Sequence, residues 1–275
     1  MKTLSREKIE MNLCRAFIIA LAMYTRIPVP KVNWDEESMK YAMCFFPVAG
    51  MFVGGIQFLV GWLLLEYTAC GTLFFAIVMT ILPIIITGGI HLDGFIDTMD
   101  ALCSYGEREK KLEILKDPHI GAFALISLCC FLLLSVGVWS ELPIAENRLV
   151  LLGIIAQFYI LSRSLSGISV MVFPSAKKNG LLKTFQAMAK RNRVRNVLCV
   201  WFVFSVIGVL GTSFLLNGSV LLGGIAVFSA ILVFGHYAWI SKKQFGGTTG
   251  DIAGYFLQVC ELIILMVIIL GGKLL

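Results

Sequence analysis

Seven stretches of the chain run apolar for the roughly 20 residues that a helix needs to cross about 30 Å of hydrocarbon. They are Cys44 to Leu65, Gly71 to Ile90, His119 to Trp139, Leu149 to Phe173, Val197 to Leu216, Ser219 to Ile240 and Ile252 to Leu270. Charged residues gather between these runs rather than within them, so the pattern predicts an all-α polytopic membrane bundle of about seven transmembrane helices. A further apolar stretch, Leu13 to Tyr24, is too short to span, contains Arg15 and runs into Pro28 and Pro30. It predicts a short N-terminal interfacial or re-entrant helix halted by the prolines. Lys2, Arg6, Lys8 and the Ala20-Leu21-Ala22 tripeptide have the flavour of a cleaved leader. The apolar run ends almost on that tripeptide, so we read the segment as retained.

Composition agrees with the pattern. With 275 residues, 58% of them hydrophobic, 15% charged and a mean hydropathy of +0.87, the chain has more apolar surface than one soluble core would bury. No repeat, linker or low-complexity tract divides it, which predicts one integral-membrane domain over residues 1–275.

Charge then supplies orientation. Lys177, Lys178, Lys183, Lys190, Arg191, Arg193 and Arg195 lie between the fourth and fifth runs without an acid. Arg108, Lys110, Lys111 and Lys116 lie in a second loop, and Lys242 and Lys243 in a third. With seven alternating spans all three loops share one side, and the bias toward Lys and Arg makes that side cytoplasmic in a plasma or inner membrane. The net charge of +6 is thus mainly a topology signal, with a landing surface for anionic lipid or a polyanionic substrate as its second reading. Nucleic acid is excluded as a partner, since Phe185 is the only aromatic in the most basic loop. The eight cysteines form no CxxC pair and sit mostly in apolar runs, where they act as small hydrophobes.

One string breaks the pattern: Gly88-Gly89-Ile90-His91-Leu92-Asp93-Gly94-Phe95-Ile96-Asp97-Thr98-Met99-Asp100, three carboxylates placed directly after an apolar run. On a helix, Asp93, Asp97 and Asp100 stand at i, i+4 and i+7 and share a face. Like charges there repel unless some protonate or a cation sits among them. Oxygen donors without thiolate or paired His select a hard ion such as Mg2+ or Mn2+. A second string, Gly246-Gly247-Thr248-Thr249-Gly250-Asp251, opens the last run. A glycine turn feeding a helix N-terminus suits a phosphate, and Asp251 adds a metal ligand. Arg163, deep in the fourth run, is expected to pair with an aspartate of the cluster or with substrate phosphate. Together these parts fit phosphoryl transfer from a nucleotide-activated alcohol; no nucleophile elbow, Walker or kinase signature occurs.

The strings Thr25 to Pro30, Phe46-Pro47-Val48-Ala49-Gly50, Gly88 to Asp100, Lys116-Asp117-Pro118-His119-Ile120-Gly121, Ser162-Arg163 and Gly246 to Asp251 occur in an order and spacing that resembles the cobalamin synthase family (adenosylcobinamide-GDP ribazoletransferase). The resemblance implies a membrane enzyme that joins adenosylcobinamide-GDP to α-ribazole or its 5′-phosphate with Mg2+, releasing GMP. It implies Asp93 and Asp97 as catalytic, Asp93, Asp97, Asp100 and Asp251 as metal ligands, and Arg26, His91, Arg163 and Gly246 to Gly250 as substrate-binding. The lipid membrane and the two substrates are the implied partners, and an oligomer is compatible with it. The chain departs from the family where Ala101 follows Asp100 and where Ala122-Phe123-Ala124 follows Gly121. A cation transporter would want charges nearer mid-span and broken helices in matching halves. A CDP-alcohol phosphatidyltransferase would want an Ala-Arg after its aspartates, and none follows here.

Overall fold

The computed structural model describes residues 2–177 and 181–274, which leaves Lys178 of the basic loop outside the described residues. In chain order the helices are α1 (Lys2–Tyr24), α2 (Glu36–Ala42), α3 (Phe46–Tyr67), α4 (Thr72–Thr87), α5 (Ile90–Cys103), α6 (Arg108–Ile114), α7 (Ala122–Trp139), α8 (Arg148–Val172), α9 (Leu181–Met188), α10 (Arg191–Asn217), α11 (Leu221–Ile240) and α12 (Gly250–Gly272). A 3-10 turn, Met43–Phe45, joins α2 to α3. A π-helical turn, Ser241–Phe245, extends α11. Among the described residues the only β pairing is one isolated parallel bridge, Ser175 to Thr248.

Among the described residues six helical runs are long and apolar enough to cross a membrane. The seventh expected span is different. Helix α4 stops at Thr87, and after Gly88 and Gly89 the chain leaves at 97° as α5. Both glycines hold positive φ, +65° and +77°, a conformation that a Cβ would strain. The apolar run Gly71 to Ile90 is therefore one apolar arm, α4, ended by a left-handed turn, and the aspartates ride on a separate helix packed against α12 and α7. We read α5 as lying outside the spans.

Helices α8 and α12 bury 67% and 61% of their apolar windows, against 22% for α7 and α10, so the first pair forms the centre and the second faces lipid. Helix α1 ends before the prolines, as expected. Its Ile19 packs with Met39 and Ala42 of α2 and with Phe185 of α9, which docks it on the bundle.

The three basic loops meet at one end. Arg108 donates from Nε to the Phe245 carbonyl at 2.9 Å. Lys111 donates to Gln244 Oε1 at 2.6 Å, and Lys177 donates to the Leu115 carbonyl at 3.4 Å. Contacts joining residues more than 60 positions apart thus gather the loops after α5, α8 and α11 around the aspartate helix. The opposite end carries its own pairs, Arg148 with Glu66 at 3.2 Å and Lys273 with Glu141.

Candidate active site

Helix α5 is pressed against the start of α12 by two glycines. A Cβ on Gly94 would meet the Asp251 carbonyl oxygen at 2.7 Å, and one on Gly254 would meet the His91 carbonyl oxygen at 2.9 Å. Each glycine thus makes room for the other helix's backbone, and this close approach brings Asp251 to the face that carries Asp93 and Asp97. Asp251 is ion-paired with Lys177 at 3.0 Å. Asp93 is exposed, while Asp97 is half-buried. Burial, then the neighbouring Asp93 and Asp251, push the Asp97 carboxyl up to about 6, with Lys177 opposing them. Asp251 has Lys177 as its partner, and burial together with the neighbouring carboxylates leaves Asp97 with a raised proton affinity.

Asp100 plays another part. Its carboxylate lies where a Cβ of residue 121 would stand, and Oδ1 accepts from the Ala124 N–H at 3.4 Å. Gly121 is the N-cap of α7 and has no side chain to cap with. Asp100 supplies from α5 the oxygen that an N-cap Ser or Asp would supply locally. The i, i+4, i+7 spacing is realised: Asp93 and Asp251 act most strongly on Asp97, and Asp100, turned toward the start of α7, acts on it less.

The glycine-rich turn is likewise divided. The N–H groups of Gly246 and Gly247 both donate to the Ser241 carbonyl. Thr248 is fully buried, gives its N–H to the Pro174 carbonyl at 2.8 Å and shares a 2.6 Å hydrogen bond with the Tyr237 hydroxyl. The Arg108 guanidinium lies against Gly246. The expectation of free backbone donors at Gly246 to Thr248 is therefore corrected: these donors serve the π turn and the bridge to residues 174–176. Next comes Thr249, whose hydroxyl caps α12 by accepting from the Ile252 N–H at 3.2 Å and lies 3.2 Å from Asp251 Oδ2. Gly250, at the first position of α12, is exposed with nothing near the place of its missing Cβ.

Arg163 also departs from expectation. It is 1% exposed in the middle of α8, and its partner is Glu261 of α12, not an aspartate. Ser162 donates to the same Glu261 oxygen at 3.0 Å, and Arg163 also reaches the Tyr159 carbonyl at 3.3 Å. The guanidinium is paired inside the bundle through Nη1, with Glu261 rather than with the aspartate cluster. Arg26 follows α1, gives its N–H to the Ile86 carbonyl at 2.7 Å and lays its side chain over Gly88 at the bend.

His91 is buried, 5% exposed, and its Nε2 has no hydrogen-bond partner. Burial, and then the positive Arg163, hold its pKa well below the usual imidazole value, so the ring is neutral. Tyr24 and Phe46 flank it at ring-centroid distances of 6.2 and 5.9 Å. His91, Asp93, Lys177, Thr249, Gly250 and Asp251 all line one cavity of about 310 Å³. Arg26 and Asp93 line a second, wider cleft of about 570 Å³ on the other side of α5.

Among the described residues no three His, Cys, Asp or Glu side chains are set as a ready metal cage. The oxygen donors at Asp93 and Asp97 fit instead the mode in which Mg2+ takes one or two carboxylates and completes its shell with water and phosphate oxygens. In the sequence Lys177 stands only as a loop charge, and Glu261 lies within the last apolar run. Their partners stand 74 and 98 residues away, a separation at which no local periodicity carries a signal.

The family model described as cobalamin-5-phosphate synthase matches residues 16–269. An adenosylcobinamide-GDP ribazoletransferase of Lachnoclostridium phytofermentans is 44% identical over 247 residues, 89% of each chain. Proteins of the same name from Clostridium botulinum and Clostridioides difficile are 33% and 32% identical, over 92% and 93% of this chain and 96% and 97% of their own. No solved structure matches the chain.

Proposed function

The chain belongs to the cobalamin-5-phosphate synthase family, and on that premise we propose that it joins adenosylcobinamide-GDP to α-ribazole, the reaction for which its relatives are named. A ribose hydroxyl of the ribazole attacks the phosphorus attached to cobinamide. A new P–O bond forms, the bond to the GMP oxygen breaks, and GMP leaves with the electron pair. The product is adenosylcobalamin, or its 5′-phosphate when the acceptor is the phosphorylated ribazole.

Asp93 is the residue to take the hydroxyl proton, because it is the exposed carboxylate at the edge shared by both cavities. Lys177 and the first N–H groups of α12 would face the diphosphate, adding positive potential where charge builds up. Mg2+ would be held by Asp93 and Asp97, with Asp251 joining once Lys177 turns to phosphate, and when bound it would neutralise diphosphate oxygens. Asp100 and Arg163 are left out of the reacting set, since both are engaged elsewhere. The reading puts this end of the bundle at the cytoplasmic face of the plasma membrane, following the basic loops.

The observation that supports this best is the excess of carboxylate over ammonium at the α5–α12 contact, an arrangement that asks for a cation and a phosphate. Purified protein in lipid, given both substrates and Mg2+, is expected to release GMP and form the joined corrinoid. Chelation should stop turnover and added Mg2+ should restore it. No product across several detergents and lipids would sink the proposal.

A further inference from the structure

Two cavities meet at Asp93, and they differ in character. The wider cleft is bordered by Arg26, the Gly88–Gly89 bend and Leu128 of α7. The smaller one is walled by Tyr24, Met43, Phe46, Phe185 and Leu257, with His91 among them. Met23, Ile90 and Asp93 belong to both walls. A reaction between two substrates needs two sites that open on one proton acceptor, and this pair of cavities provides that geometry.

Size separates the candidates for the smaller site. At about 310 Å³ it stands at the low end of the roughly 300–1,000 Å³ of small-molecule pockets, enough for a nucleoside and far too small for a corrin. Its aromatic and aliphatic walls suit a flat apolar base. His91 stands in the same wall, which also carries Lys177, Lys183, Thr249 and Gly250, donors that suit a ribose or its phosphate.

Resting on the transferase reading, we infer that the smaller cavity is the acceptor site, taking the aromatic base of ribazole between Tyr24, Phe46 and Phe185. The donor lies in the wider cleft beside Arg26, with its diphosphate reaching past Asp93 to Lys177 and the start of α12 where the two cavities meet.

Filling the cavity tests this. Val170 of α8 and Leu182 of α9 line it from two sides, and neither belongs to the reacting set. V170F and L182W are each expected to raise KM for α-ribazole about tenfold or more, with KM for adenosylcobinamide-GDP within about twofold. In the wild-type protein a free benzimidazole base should compete with α-ribazole and not with the donor. The opposite pattern, a shifted donor KM or a base that competes with the donor, overturns the assignment. Equilibrium dialysis with α-ribazole alone reads the cavity without turnover: binding lost in both variants supports it, whereas equal binding by all three proteins, or none by the wild type, overturns it. A wild type that binds ribazole but releases no GMP would refute the reaction and leave the cavity assigned.

Discussion

Two charged regions share helix α12, which carries both Glu261 and Asp251, and solve opposite problems. Inside the bundle, the buried Arg163 has its counter-charge in Glu261, with the Tyr159 carbonyl also accepting from Nη1. At the end of the bundle, Asp93, Asp97 and Asp251 lie together, with Lys177 paired to Asp251 and Lys183 lining the same cavity as Asp93 and Asp251. Desolvation explains the first region: an unpaired buried ion costs several kcal/mol, so a fully matched pair is what the bundle tolerates. Water and approaching ligand explain the second, where an unmatched set survives because it lies at an open rim. Completeness of pairing thus separates charge that holds the fold from charge that waits for substrate.

The sharpest way to break this comparison is at the rim. D93A should lower GMP release by roughly a thousandfold while leaving membrane insertion and thermal midpoint near wild type, the range for losing a proton acceptor and its charge. Near-normal turnover would remove Asp93 from the site. Within the bundle the expectation reverses. R163M should destabilise the fold by about 3–5 kcal/mol, read as lost folded yield in detergent, because Glu261 is left buried and alone. The double variant R163M/E261M should regain most of that yield; if it does not, the pair has a role beyond mutual neutralisation.

Asp97 offers a smaller and signed effect. Its folded-state pKa of about 6 lies above the ordinary carboxylate value of 3.8, so the folded chain retains a proton that the unfolded chain releases. That contribution is full below pH 3.8 and is lost as pH rises through about 6. D97N should therefore raise the thermal midpoint of the cation-free protein at pH 8, with the gain shrinking as pH falls from about 6 and gone below about 3.8, although turnover falls. A gain independent of pH would break the link to ionisation. Mildest of all is D100A, expected to cost about 1 kcal/mol through the start of α7 and to leave GMP release within about tenfold. A loss as deep as that of D93A would return Asp100 to the reacting set.

Much of this was legible in the chain. Apolar runs of the right length marked the spans, and the spacing of Asp93 and Asp97 placed them on one helical face. The distribution of Lys and Arg foretold that three loops would gather near them. What stayed hidden depended on distant partners. Nothing near Gly246 announces that its N–H and that of Gly247 close a π turn, or that Thr248 bridges to residue 174. Asp100 reads as a third ligand until Gly121 is seen beneath it. Arg163 invites a phosphate until Glu261, nearly a hundred residues on, takes the place. Local periodicity fixes which face a side chain occupies, and packing between helices decides what that face meets.

The two-glycine bend after Thr87 has a mechanical consequence. At about 1.5 Å per residue, the 16 residues of α4 reach about 24 Å, several Å short of a typical hydrocarbon slab of about 30 Å. Helix α5 branches off there at 97°, so the left-handed Gly88–Gly89 turn fixes how far along the bundle Asp93 and Asp97 stand.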